Sequence, residues 1–363
     1  MKEIIIKNWS LILLITLLSC KNHQDNTVVL EIEILREDSI FTENYYGDLI
    51  SFQDNRAICG FYQKAVTIIN LSESTTEKIE KVGEGPGEFK FPRCALFFQD
   101  NFIIFCSTLT KIIIYDSSFN YIREHRIPAK ISNLFIIDDS TILYSDLLSN
   151  DQLFVIYDLK NSIKLNSFGQ TIPYPVERYR NHLYNQGILK PIGGNVAVYK
   201  NLLFWYDYFH DKFKIFNIFT GDLLDSFGRV HHDWSVPIVF ETPVDQYHPT
   251  SQLRIRSTPC QSIEFSENYM FVLFFRLWQN GWKYHDDFFR SEKFGLVDIY
   301  KLPSFAYTGS FYLSTICLEG DNCLLPYQMD VIDDSILSIL YFNPGEGTDF
   351  ISRKIKVQIN SFL

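Results

Sequence analysis

"LFFQDNFIIFC", residues 96–106, is two apolar runs split by a short polar step. Asn and Asp tolerate the positive φ that a tight hairpin demands, so the stretch predicts two short antiparallel strands joined by a turn. The pattern returns as "SFQDNRAICGF" at 51, "LFIIDDSTILY" at 134, "VAVYKNLLFWY" at 196, "IEFSENYMFVL" at 263 and "MDVIDDSILSI" at 329, making six copies. After most copies comes a third strand ending in Asp or Asn: "VTIIN" at 66, "KIIIYD" at 111, "FVIYD" at 154, "FKIFN" at 213 and "FGLVD" at 294. The last copy has the weaker "KIKVQIN" at 354. A fourth strand often follows, ending in glycine in "LNSFG" at 165 and "LDSFG" at 224. Four strands in each of six units predict an all-β, six-bladed β-propeller of antiparallel blades.

The sixth copy ends one strand short. "TVVLEIEIL", residues 27–35, is a strand candidate ahead of the first copy, and we expect it to supply the missing outer strand and close the ring. "GEGPGEFKFP", residues 83–92, falls between units one and two. There Gly83, Gly85 and Gly87 permit sharp turns and Pro92 fixes the chain before the next strand. Pro128, Pro191, Pro259 and Pro326 precede later copies and are expected to mark blade entry. Composition agrees, since 32 Phe and 21 Tyr favour strands over helices.

Residues 1–19 read as a targeting leader: Lys2 and Lys7 start it, Leu11 to Leu18 form its apolar core, and Leu17-Leu18-Ser19-Cys20 is a cleavage site. That tetrad resembles the bacterial lipobox, which implies cleavage before Cys20 and lipid on its thiol. A signal peptide with an incidental cysteine, or a short anchor helix, is the alternative. The apolar run is shorter than the ~20 residues of a membrane span. The expected organisation is a leader at 1–19, a tether at 20–26 after lipidated Cys20, and a propeller domain at 27–363.

"GEGPGEF" followed by Pro92 and an apolar strand resembles the inter-blade signature of NHL-type and TolB-like six-bladed propellers. With the lipobox, the whole mature chain is similar to Bacteroidetes propeller lipoproteins of unknown function. The resemblance implies a fold and a cell-envelope location but specifies hardly any function, because a propeller hosts many functions.

Removing the leader takes the formal charge from −10 to −11, which disfavours nucleic acid as a partner. Cys317 and Cys323 are spaced to close a small loop in an oxidising compartment, or to stand as two thiols; Cys59 and Cys106 lie in apolar runs as buried thiols.

Ligands of propellers bind on the loops at the channel mouth, so three long connections, 170–190, 229–258 and 278–292, are the candidate sites. In the last, Trp278, Trp282, Tyr284 and His285 suit stacking on sugar rings, or else pad one blade against its neighbour. In the first, Arg178 and Arg180 flank Tyr179 and fit an anionic ligand, or neutralise Glu177. His231 and His232 beside Asp233 are metal-ligand types without a zinc spacing, and the favoured alternative is a polar loop with ordinary surface histidines. No nucleophile elbow, phosphate loop, H-E-x-x-H or paired C-x-x-C is present, and no metal or cofactor is expected. The leading expectation is a lipid-anchored binding or scaffold module for a glycan, a peptide or a partner envelope protein. The other is a propeller hydrolase or lyase acting on a sugar or lactone.

Overall fold

The computed structural model describes residues 28–40, 48–60, 65–106, 108–127, 131–146, 152–170, 195–207, 212–228, 260–275, 294–318, 323–342 and 349–359. They form six antiparallel sheets. Blade one is β2 (Asp48–Gln53), β3 (Arg56–Gly60), β4 (Val66–Asn70) and β5 (Thr75–Ile79). Blade two is β6 (Pro92–Phe98), β7 (Asn101–Cys106), β8 (Lys111–Asp116) and β9 (Tyr121–Arg126); blade three is β10 (Ile131–Ile136), β11 (Thr141–Asp146), β12 (Gln152–Asp158) and β13 (Ile163–Gln170). Blade four is β14 (Val196–Tyr199), β15 (Leu202–Asp207), β16 (Lys212–Asn217) and β17 (Leu223–Phe227); blade five is β18 (Cys260–Phe265), β19 (Tyr269–Phe275), β20 (Gly295–Lys301) and β21 (Ala306–Leu313). Blade six takes β23 (Cys323–Val331), β24 (Ile336–Phe342) and β25 (Phe350–Val357), and its outer strand is β1 (Ile32–Ile40) from the other end of the chain.

The two middle strands of the blades are predominantly apolar, on both faces in blades one to five, because both faces are covered by neighbouring sheets. Along β7, Phe102, Ile104 and Cys106 pack toward blade one, whereas Ile103 and Phe105 pack toward blade three. Along β19, Met270, Val272 and Phe274 face blade four, and Phe271 and Leu273 face blade six. The core is therefore six slabs, one at each junction between blades. Outer strands face water and carry charge instead, as in "TTEKI" of β5 and "YIREHR" of β9.

The turns bear out the polar steps. Asp54 and Asn55 both have positive φ (50° and 57°) in the two-residue loop between β2 and β3. The Asp or Asn closing most third strands caps the following turn: Asp116 Oδ1 accepts from the backbone N–H of Ser118 and Asn120, and Asn217 Oδ1 from Phe219 and Thr220.

Several expectations shift. The closing strand sits at Ile32–Ile40 rather than 27–35, because Ile32 pairs with Val357 and Ile40 with Phe350. Residues 28–30 instead join blade five, where Leu30 N donates to Ser310 O and Ser310 N to Val28 O. Leu30 plugs the space over Gly309, so the N-terminal strap clasps blades five and six together. "FGLVD" does not end at Asp298, since β20 continues to Lys301 and Asp298 is fully buried, accepting from Tyr300 OH and Ser310 Oγ. The third strand of blade six begins at Phe350, ahead of "KIKVQIN". Pro92 opens β6, and Pro326 lies inside β23 at a bulge, where a missing N–H costs no ladder bond. An unforeseen two-residue strand, β22 (Ile316–Cys317), pairs with the inner edge of β23.

Candidate functional site

The ring has two unlike ends. At one, which we call the turn end, lie the tight turns between first and second and between third and fourth strands. At the other, the loop end, lie the connections between second and third strands and between blades. The strand termini flanking the three long connections, Gln170 and Val196, Phe227 and Cys260, and Phe275 and Gly295, all lie at the loop end. Trp278, Trp282, Tyr284, His285, Arg178, Arg180, His231 and His232 themselves lie outside the described residues, as does Cys20. Also at the loop end, a disulfide joins Cys317 to Cys323 and staples β22 to the axial side of blade six. Cys94 and Cys106 are inert by contrast, as burial pushes both thiols up to about 12.

The glycine-rich link is a structural staple. Phe89 N donates to Lys81 O (2.8 Å) and Gly83 N to Phe89 O (3.1 Å), closing a loop whose Gly85 N–H is taken by Glu88 Oε2 (2.8 Å). Phe89 anchors it in the slab between blades one and two. From blade two, Lys111 Nζ donates to Gly85 O (2.9 Å) and to Glu124 Oε2 (3.0 Å), Gly87 N donates to the same oxygen (3.1 Å), and Tyr115 OH donates to Gly87 O (2.7 Å). Its backbone groups are thus consumed internally. Gly87 has φ +70°, and an added Cβ would stand 2.7 Å from Tyr121 Cδ2. Gly87→Ala is expected to lower stability by about 1–3 kcal/mol. An unchanged urea midpoint would mean the loop is free to adopt another path.

Around the axis, side chains on first strands latch onto the next blade. Ser51 Oγ donates to Ala95 O (2.7 Å), Cys94 Sγ to Leu134 O (4.0 Å) and Asn195 Nδ2 to Gln261 O (2.7 Å), while Asp330 Oδ2 accepts from Asp54 N (2.8 Å). Glu264 occupies the corresponding place on blade five but does not latch. Its one hydrogen-bond partner among the described residues is Ser262 Oγ (3.2 Å). Burial, and then the charge of Asp330, push the Glu264 carboxyl up to about 8. Burial likewise raises Asp330, with the Asp54 charge adding to it. The pair is therefore two carboxyls on adjoining first strands, both raised by burial, with Glu264 raised further by the charge of Asp330. Sequence reasoning missed both, although the signal was visible as single acids inside the apolar runs "IEF" and "MDV".

At the turn end, clefts open between blades. One, about 680 Å³ between blades two and three, has a floor of Ile103, Ile112, Ile114 and Ile136 and a rim of Arg123 and Lys160. His125 also borders it, its pKa lowered by burial and by Arg123. A second of about 340 Å³ lies between blades one and two, where the Arg56 guanidinium stacks 3.9 Å over Phe97. A third of the same size, between blades six and one, is lined mostly by polar groups. Among the described residues, no three His, Cys, Asp or Glu side chains converge as metal ligands.

These features define a six-bladed β-propeller with long connections at one end and tight turns at the other. The chain belongs to the DUF5128 family of six-bladed β-propellers, whose pattern residues 50–274 match. Its fold is similar to that of a Bacteroides vulgatus member of the DUF4221 family, at 10% identity and TM-score 0.57 over 92% of this chain and 100% of that one. It is also similar to a Bacteroides fragilis protein described as exported, at 12% identity and TM-score 0.52 over 93% and 98% of the two chains. No curated protein matches the chain in sequence.

Proposed function

We propose that this protein is an exported binding module of the bacterial cell envelope, anchored by lipid on Cys20, that presents its loop end to a glycan, a peptide or a partner envelope protein. The observation that carries this reading is the lopsided distribution of connections: the three longest all leave the same end of the ring, from blades three to five. Rigid strands holding long loops on one face is how scaffolds display recognition surfaces. Export is supported by the Cys317–Cys323 disulfide, which suits an oxidising compartment, and by the exported description of the Bacteroides fragilis protein of like fold. A ring with an acidic surplus is a poor match for nucleic acid.

The test uses the full chain expressed in a bacterium. Cys20→Ala is expected to move the protein out of the membrane fraction. On an array of bacterial envelope polysaccharides, Trp278→Ala or Trp282→Ala is expected to weaken retention about tenfold, equivalent to losing one stacking aromatic, with melting unchanged. Retention untouched by both substitutions, or a large fall in melting temperature in both, would count against the loop end as the recognition face. The second reading, a hydrolase or lyase on a sugar or lactone, is favoured by the Glu264–Asp330 pair, because two interacting acids, one of them raised to about 8, are parts that acid–base catalysis uses. Turnover of aryl glycosides or lactones by the same preparation would decide for it.

A further inference from the structure

One interface breaks the rule that the other five obey. At the third residue of each second strand and its partner on the third strand, the side chains facing the next blade are Ile58–Ile68, Ile103–Ile114, Leu143–Ile156, Phe204–Ile215 and Phe271–Ile299 in blades one to five. Every one of these residues is buried in the slab with the following blade. In blade six the pair is Ser338–Lys354. One step further along the third strand, Val66, Ile112, Phe154, Phe213 and Val297 in the five blades are answered by Ser352.

The polar row runs across all four strands of blade six, although its first- and outer-strand places are polar in some other blades too. Asp330, Ser338, Lys354 and Arg36 stand in register on all four strands of blade six, where blade two has Leu96, Ile103, Ile114 and Arg123. Both serine hydroxyls are buried and bonded to each other at 2.8 Å. Ser338 Oγ donates on to Asn55 Oδ1 (3.3 Å), and Asn55 Nδ2 donates to Asp38 Oδ2 (3.2 Å) and Ser72 Oγ (2.6 Å). Asp38 is paired with Arg36 at 2.7 Å. The Lys354 ammonium has no hydrogen bond or ion pair among the described residues. Replacing a packed apolar pair by a lysine and a serine sacrifices burial that five other junctions keep, and places that break a local rule are where function is expected.

We propose that the cleft between blades six and one binds a neutral sugar residue. Its volume of about 340 Å³ suits one or two sugar rings rather than a folded partner. Hydroxyls, an amide, carboxylates, a guanidinium and an ammonium line it, which suits a polyol whose every hydroxyl both donates and accepts. Of the three acids lining it, Asp38 is paired with Arg36 and Asp54 with Arg56 (3.1 Å), which leaves Lys354 to offset Asp330, so a charged ligand gains no net attraction. Ile332, half exposed at the rim, offers an apolar contact for the C–H face of a ring. This site is at the turn end, so it stands or falls separately from recognition by the loop end.

The experiment is saturation-transfer NMR on the full-length protein with millimolar neutral hexoses and N-acetylhexosamines, one at a time. At least one is expected to give transfer. The variant Ser338→Ile with Lys354→Ile, which restores the apolar pair of the other blades, is expected to weaken that sugar at least tenfold while melting no lower than wild type. Should that variant misfold, Lys354→Met alone is expected to weaken it severalfold. No transfer from any neutral sugar, transfer only from uronates or sugar phosphates, or undiminished binding in the folded variants would overturn the assignment. So would loss of the signal in Trp278→Ala rather than in the restored pair, because it would put the sugar at the loop end.

Discussion

Lys111→Met is expected to lower the unfolding free energy by about 3 kcal/mol, the low end of what breaking a buried ion pair costs. The low end applies because Glu124 keeps 21% of its side chain exposed, whereas Lys111 keeps 1%. Removing the ammonium leaves Gly85 O without its blade-two donor and Glu124 with only the Gly87 N–H. Burial alone would raise the Glu124 pKa, but the bonds from Lys111 and Gly87 and the Lys111 charge outweigh it and leave it lowered. Its ionised form therefore stabilises the fold above the ordinary pKa near 4.5, a contribution lost as pH falls through the lowered folded value. Denaturant titrations belong at pH 7, where that contribution is complete. Pairing Lys111→Met with Glu124→Met should recover more than 1 kcal/mol of the single-variant loss, since the stranded charge goes with its partner. A single-variant loss under about 1 kcal/mol would mean that Phe89, and not the ion pair, holds the link to blade two.

The propeller was legible because its two signals are local. Continuous apolar runs follow from sheets covered on both faces, and the polar steps follow from turns that need positive φ, as Asp54 and Asn55 show. Strand limits were less legible where tertiary partners set them. Nothing in "TVVLEIEIL" says that Val28 to Leu30 serve blade five while Ile32 onward serves blade six; that division depends on Ser310 and Val357, some three hundred residues away. Likewise, Asp298 looks like a turn cap until Ser310 and Tyr300 give it partners inside the sheet. Chemistry was least legible of all. Ser338, Ser352 and Lys354 look ordinary on two adjacent strands, and their meaning emerges only when the register aligns them with five apolar pairs.

Glu264→Gln is expected to stabilise the protein at neutral and alkaline pH by several kcal/mol, and to leave it nearly unchanged in acid. The reason is the cost of charging this carboxyl where it sits, walled in by blades five and six with Ser262 as its partner and Asp330 nearby. Its ordinary value of 4.5 rises to about 8 on folding, so between those two pH values the unfolded chain gives up the proton and the folded chain keeps it. Fewer protons on the unfolded state means stability falls as pH rises through that window and levels off above it. At ~1.4 kcal/mol per pH unit, the accumulated penalty is about 3 kcal/mol at pH 7 and about 4–5 kcal/mol above pH 8. Glutamine keeps the shape and the bond from Ser262 without the charge. His125 tilts the other way: burial lowers its pKa, so its contribution is lost as pH falls below its ordinary value of 6.5. The quantity to follow is therefore the difference between variant and wild type, from urea titrations at pH 5 and pH 9, which cancels His125 and every other shared group. A gap that widens by at least 2 kcal/mol from pH 5 to pH 9 is the expected result. An equal gap at both values would mean Glu264 ionises freely toward the water of the channel, and the acid pair would then lose the raised Glu264 carboxyl that makes it a candidate for proton transfer.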